Sequence, residues 1–468
     1  MAKRKLLMLS DDIRLHSGVG TVARNLVEGT CHMYDWVNLG GAVNHPEKGK
    51  KVDVSESVKE RTGVKDASVV VYPTSGYGDP DLLRAIIAAE QPSGIIHFTD
   101  PRFWGWLYDM EHELRTKMPL MYYNIWDDLP FPHWNEPFYD CCDLLMAISK
   151  QTYNINKHVC ITYPRIEGKD LTYVPHGIDP SEYYNLSEEE RKSEEFVDFK
   201  KQVLSGNDYD FVAMFNSRNI RRKSPADLIQ AFSQFVANND AYGKTALILH
   251  TDIVDQNGTD LMAVKTALAD KCHVIFSTSK MDSKFLNYMY NIADVVCCPS
   301  SAEGFGLSHM EALMSGTPTI TTVVGGLQDQ MGFKVDGKEL TVEHLTAEVP
   351  SNSTGLISKE HGEWTYPLWP NQSLQGSPMT PYIYDSRPRI KDIVSGLQHW
   401  YNMSNDDRTT CGLKGRIWAV SNGFTKQHMC EAFQNSIEHL YSYWVPRKSV
   451  DVIDLKQPYN IIKGVLSL

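Results

Sequence analysis

Asp294-Val295-Val296-Cys297-Cys298 leads through Pro299-Ser300-Ser301-Ala302 into Glu303-Gly304-Phe305-Gly306-Leu307-Ser308-His309-Met310-Glu311. The stretch reads as a buried strand, a glycine turn and a helix that starts near Leu307. Such a turn aims free backbone N–H groups and the positive helix end at one point, which suits an anion. Glycines at 304 and 306 let a diphosphate come close to the main chain. Glu311 lies about one turn into the helix, where a carboxylate accepts bonds from ribose hydroxyls. Glu303 stands on the lip of the loop, facing a crevice. A Gly-x-Gly pair alone fits an acidic loop followed by an ordinary amphipathic helix better, so the surroundings decide.

Working outward, the same strand-then-helix rhythm fills the chain. Short apolar runs occur at Lys5–Leu9, Trp36–Leu39, Ser68–Tyr72, Gly94–Phe98, Leu120–Ile125, Leu144–Ile148 and Leu171–Val174. Helical stretches such as Val19–Glu28 and Pro80–Ala89 separate them. A polar, acidic connector, Ser187–Lys201, precedes a second series at Phe211–Phe215, Ala246–His250, His273–Phe276, Val295–Cys298 and Thr317–Val323. Near-continuous apolar strands alternating with helices predict parallel sheets covered on both faces. Two such arrays predict an α/β protein of two Rossmann-like domains, with a site in the crevice at the carboxyl ends of the strands. From about 332 to 389 the chain is rich in Pro, Gly, Ser and aromatics, and is expected to be an irregular insertion.

A length of 468 residues gives room for two or three domains with full cores. With 46 basic against 58 acidic residues the net charge is −12, which argues against general coating of nucleic acid. It leaves a local basic cleft possible. No apolar run approaches the roughly 18 residues of a membrane span. The apolar start at Leu6–Leu9 turns polar at Ser10, too soon for a signal peptide. Nine cysteines without a CxxC pair suggest neither a zinc ribbon nor a disulfide framework. A reducing, cytoplasmic location is expected.

Basic residues gather at Ser217-Arg218-Asn219-Ile220-Arg221-Arg222-Lys223, between a buried strand and an amphipathic helix. Arg218 and Lys223 there suit a departing diphosphate, Arg as a bidentate fork and Lys as a point charge. His97 ends a strand on the crevice side. Asp79-Pro80-Asp81 spells Asp-x-Asp but sits at a helix start, where capping is the expected role. Asp127-Asp128 precedes Leu129-Pro130 in a loop that faces acceptor or solvent, and is likewise expected to cap rather than to bind metal.

In order along the chain, Ser17-Gly18-Val19-Gly20, Pro175-His176-Gly177-Ile178-Asp179, the Arg218–Lys223 cluster, Glu303-x7-Glu311 and Gly325-Gly326 resemble the motifs of retaining family-4 glycosyltransferases of the GT-B fold. The resemblance implies two Rossmann-like domains facing across a deep cleft, with a C-terminal helix crossing back to the first. It sets residues 1–185 as the acceptor domain, 186–440 as the nucleotide-sugar donor domain and 441–468 as a tail on the first domain. It implies transfer of a sugar from a nucleotide diphosphate sugar, a UDP-sugar, to a hydroxyl, with anomeric retention and no metal or other cofactor. Arg218, Lys223, Glu303 and His97 would be the catalytic group. Gly18, Gly20, Gly304, Phe305, Gly306, Leu307 and Glu311 would bind the donor.

The segments 10–20 and 124–133 resemble phage-encoded members that glycosylate hydroxymethylated bases of double-stranded DNA, which would place the enzyme in the host cytoplasm. Arg102, Lys117, Arg387, Arg389 and Lys391 would then be candidates for phosphate contacts. A glycan-building transferase is the alternative, followed by a nucleotide-sugar epimerase of similar fold. Trp364–Pro370 is expected to lie near the cleft as a lid, or to cover a sheet edge.

Overall fold

The computed structural model describes residues 3–42, 44, 46–162 and 170–448. The first seven apolar runs become strands of one sheet, joined by a short edge strand that the apolar pattern does not reveal. These strands are β1 (Arg4–Asp11), β2 (Tyr34–Gly41), β3 (Val52–Asp53), β4 (Val69–Pro73), β5 (Gly94–Phe98), β6 (Leu120–Asn124), β7 (Leu144–Ala147) and β8 (Asp170–Tyr173). Their order is β3-β4-β2-β1-β5-β6-β7-β8, all parallel except the two-residue β3. Leu6, Leu7, Met8 and Leu9 of β1 are all fully buried, as a central strand covered on both faces requires.

The second sheet holds β9 (Phe211–Asn216), β10 (Thr245–His250), β11 (His273–Ser277), β12 (Val295–Cys298) and β13 (Thr319–Thr322). Its order, β11-β10-β9-β12-β13, is completed by a sixth parallel strand from the insertion. Strand order reverses between β9 and β12, so the loops after these two strands diverge and leave a crevice. The Arg218–Lys223 cluster follows β9, and the Glu303 turn follows β12.

The insertion is more ordered than its composition suggested. A small ribbon, β14 (Lys334–Val335) and β15 (Lys338–Glu339), is followed by the sixth strand, β16 (Thr365–Leu368). A hairpin of β17 (Asn371–Ser377) and β18 (Thr380–Arg387) then leaves the sheet. Trp364 is structural. Its ring lies 5.0 Å from that of Trp418, and its indole N–H donates to the Gln330 carbonyl. Gly332 and Gly415 leave it the room, since a Cβ on either would stand under 3 Å from the indole. Pro367 disguised β16, yet it sits on an edge strand, where a missing N–H costs little. The segment 364–370 is therefore not a lid, and the hairpin after it is the part at the cleft.

The C-terminal helix Lys426–Tyr443 crosses back to the first domain. Glu438 accepts from Arg4 and from the Tyr34 hydroxyl, and the Tyr441 hydroxyl donates to the Ser93 carbonyl. Phe433 packs toward Trp36 and Tyr123. The crossing begins at Thr425, which pairs with Ile178, so the boundary expected at 440 falls inside this helix. Of the expected tail, 449–468 lie outside the described residues. Among the described residues no disulfide is formed. Among the described residues no helix is long and apolar enough to cross a membrane.

Candidate active site

Lys223 ends a short 3-10 turn, Arg221–Lys223, that leads through Ser224 into the helix Pro225–Asn238. This turn folds Lys223 inward, and its ammonium pairs with the Glu303 carboxylate. Burial, with Arg222 beside it, holds the ammonium below the usual lysine range. Arg222 donates to the Ala302 carbonyl at 2.6 Å and lies 3.6 Å from Glu303. The Ser301 N–H donates to the Arg222 carbonyl. The loops after β9 and β12 are thus zipped together around the Lys223–Glu303 pair. Arg218 stands apart, 59% exposed, with its guanidinium on Asp255 at 2.7 Å.

The glycine turn has the anticipated geometry. Gly306 takes φ +94°, a region that favours glycine, and the helix Leu307–Met314 starts from it with no side-chain cap. Its first N–H groups therefore face a small cavity lined by Asn216, Lys223, Ser300, Glu303, Gly306 and Ser308. Gly325 and Gly326 press on this turn, and the Gly326 N–H donates to the Glu303 carbonyl. A Cβ on Gly326 would stand 2.3 Å from the Gly304 carbonyl oxygen. Gly304 itself abuts Ile125 and Ile148 of the first domain.

The remaining candidates divide. Gly18 opens the helix Gly18–Thr30, and its Cβ position lies 3.5 Å from Leu307 across the cleft. Gly20 serves the loop itself, donating to the Ser17 hydroxyl with Asp12 and Leu15 crowding it. The Phe305 ring is buried between His176 and Phe424, so only its main chain belongs to the turn. His97 is not brought to this group. It is fully buried, Nδ1 on the Tyr108 hydroxyl at 2.7 Å and Nε2 on the Thr99 hydroxyl at 2.9 Å. Burial lowers it to about 3, so the ring is neutral.

Glu311 accepts from the Tyr290 hydroxyl at 2.6 Å, and that hydroxyl accepts from Asn216 at the end of β9. Asn216 and Tyr290 were not identifiable from spacing, because neither lies in a motif. Burial pushes Glu311 up from the ordinary 4.5 to about 7. Between those values the folded chain holds a proton that the unfolded chain has lost, so this group lowers stability as pH rises through that window. Glu311→Gln should remove that slope. The variant is expected to melt higher than the parent at pH 8 and near it at pH 5, as differential scanning calorimetry would read. A parent that is no less stable than the variant at pH 8 would contradict the assignment.

Asp79 caps the helix Pro80–Glu90 as expected, accepting from the N–H groups of Asp81 and Leu82. Among the described residues, Asp127 and Asp128 cap no helix. They line a second cavity beside Ser301 and Gly325, between the two domains. Burial raises both above the usual carboxylate range, and each repels the other. Three cations considered for phosphate contacts are already paired, Arg102 with Asp100, Arg387 with Asp385 and Arg389 with Asp392.

Residues 196–339 match the family described as Glycosyl transferases group 1. An uncharacterized glycosyltransferase of Methanocaldococcus jannaschii is 27% identical over 206 residues, 42% of this chain and 47% of that protein. Mannosylfructose-phosphate synthase of Agrobacterium fabrum is 27% identical over 196 residues, 40% and 39% of the two chains. This chain spans less than half the length of either relative. Among solved structures, sucrose-phosphate synthase of Thermosynechococcus elongatus superposes with a TM-score of 0.64 at 15% identity, covering 94% of this chain and 100% of that one. Anabaena HepE in complex with UDP and glucose gives 0.60 at 12%, covering 93% and 100%. A region matching Glycosyl transferases group 1 thus sits in the second domain of a chain with the GT-B fold.

Proposed function

We propose that this protein is a retaining glycosyltransferase that moves a sugar from a UDP-sugar to an acceptor hydroxyl without a metal ion. The Lys223–Glu303 pair beside the uncapped helix start at Gly306 carries this reading. It places a buried cation and free backbone N–H groups around one cavity, as a leaving diphosphate needs. Arg218 joins them by leaving Asp255 when the donor binds. Glu311 takes the ribose hydroxyls, while Glu303 orients the sugar. Gly18 and Gly20 let the first domain close on Leu307. His97 has both ring nitrogens occupied by the Tyr108 and Thr99 hydroxyls, so its part is to hold the end of β5 rather than to touch the sugar.

In retention by front-face transfer, the bond from sugar to phosphate oxygen breaks as the acceptor oxygen bonds to the same carbon on the same face. The departing phosphate oxygen takes the acceptor proton. The protein's share is positioning and charge stabilisation, with no strong base required. HepE, with its bound UDP and glucose, supports UDP as the carrier. Pairing of Arg102, Arg387 and Arg389 with carboxylates leaves a sugar acceptor better supported than DNA.

The test offers several nucleotide sugars with simple sugars, sugar phosphates and duplex DNA containing 5-hydroxymethylcytosine. Product anomers are read by NMR. Transfer with the donor's anomeric configuration kept is expected; inversion, or interconversion of the donor with no acceptor present, would overturn the reading. A chelator should leave the rate essentially unchanged. Complete loss, restored by manganese or magnesium, would place a metal on the diphosphate.

A further inference from the structure

The second cavity is used by none of these roles. Asp127 and Asp128 of the loop after β6 form one side, Ser301 another, and Ser353, Gln372 and Ser386 of the insertion close it. Its position follows from the chain. Ser301 and Ala302 run directly into Glu303, so the donor cavity and this one share the wall formed by 300–303. Asp127 also stands against Gly325, whose own Cβ position lies on the Glu303 carbonyl. A group held here lies beside the residue proposed to orient the sugar.

The lining is made for hydroxyl groups. It offers hydroxyls, an amide and two carboxylates, each able to bond an alcohol. Ser301 is 4% exposed and lines the cavity. The charge is one-sided. Two carboxylates and no cation line the cavity, with Arg222 and Arg102 standing outside the lining. A phosphate placed here would meet two carboxylates and no cation among the residues that line the cavity.

We infer that this cavity is the acceptor site and that it takes an uncharged polyhydroxy compound, a neutral sugar or polyol, with its hydroxyls on Asp127, Asp128 and Ser301. The inference rests on the transferase reading and narrows its acceptor to one class. A site whose buried polar groups expect hydroxyls disfavours an analogue that brings negative charge instead.

The full chain is assayed with the UDP-sugar it uses best, offering glucose, maltose and myo-inositol against glucose 6-phosphate and inositol 1-phosphate. UDP affinity is measured separately by titration calorimetry. At least one neutral compound should be used ten-fold or more better than its phosphate. Asp128→Asn should raise that acceptor's KM ten-fold or more while UDP affinity stays within two-fold. Gln372→Ala, on the exposed hairpin, should raise it less and serves if the first variant folds poorly. Preference for the phosphates, or acceptor constants unmoved in both variants, would overturn the inference with UDP binding intact. Absence of UDP binding in the parent would overturn the transferase reading and this one together, which sets the two failures apart.

Discussion

Lys223→Ala is expected to lower turnover by two or more powers of ten. The reason is electrostatic. The ammonium is buried, and its position against Glu303 is set by a turn locked to the opposite loop through Ser301 and Ala302. A charge held so firmly costs nothing to reorganise when the diphosphate gains its negative charge, and removal of one such donor typically costs 10²–10³ in rate. Arg218→Ala should reach a similar loss by another route, since its guanidinium is exposed on Asp255 and must swing to the phosphates. The two differ in stability. Lys223→Ala leaves the Glu303 carboxylate with only Arg222 near it, at 3.6 Å, and should lower the melting temperature. Arg218→Ala breaks a pair whose guanidinium stands in solvent and should leave melting nearly unchanged. Steady-state rates with the UDP-sugar, beside a melting curve for each variant, decide the matter. Near-normal turnover in Lys223→Ala would end its assignment to the diphosphate.

Much of this arrangement is legible in the sequence because the signals are local. An apolar run bounded by a glycine turn defines β12, the turn and the helix Leu307–Met314 within one short stretch. The pairing of Lys223 with Glu303 joins residues 80 apart, on loops that follow β9 and β12, which are neighbours in the sheet though not in sequence. Other features depend on packing that no short stretch encodes. His97 ends a strand as expected, yet its side turns toward the aromatic core of Tyr108 and Tyr122, and a period of two cannot say which face is covered. Asp127 and Asp128 read as caps, or as loop residues facing acceptor or solvent, because Leu129 and Pro130 follow them. Only the approach of the second domain makes them a cavity wall. The insertion misled through composition, since its aromatics mark buried contacts such as Trp364 on Trp418 and not a loose loop.

Excising the hairpin Asn371–Arg387 and joining its ends with glycines should raise the acceptor KM ten-fold or more and leave donor constants within two-fold. The hairpin belongs to the second domain by sequence but reaches across to the first. The Tyr384 N–H donates to the Leu129 carbonyl at 2.6 Å, the Tyr382 hydroxyl to the Phe131 carbonyl, and Arg102 to Met379 and Thr380. The Tyr382 ring meets Trp134 edge-on at 4.4 Å. A two-stranded hairpin is marginal in water by itself, so these contacts across the cleft are what hold β17 and β18 in place. Every residue of β17 is exposed on its other side, and β16 completes the sheet before the hairpin begins. The core should therefore survive the excision. What disappears is the cover that Gln372, Tyr384 and Ser386 give the acceptor cavity. With that cover gone, water reaches the sugar, and hydrolysis of the UDP-sugar should rise as transfer falls. A hairpin that only shields the edge of the sheet would leave acceptor constants and hydrolysis where they were, and the excision would then register as a change in melting temperature alone.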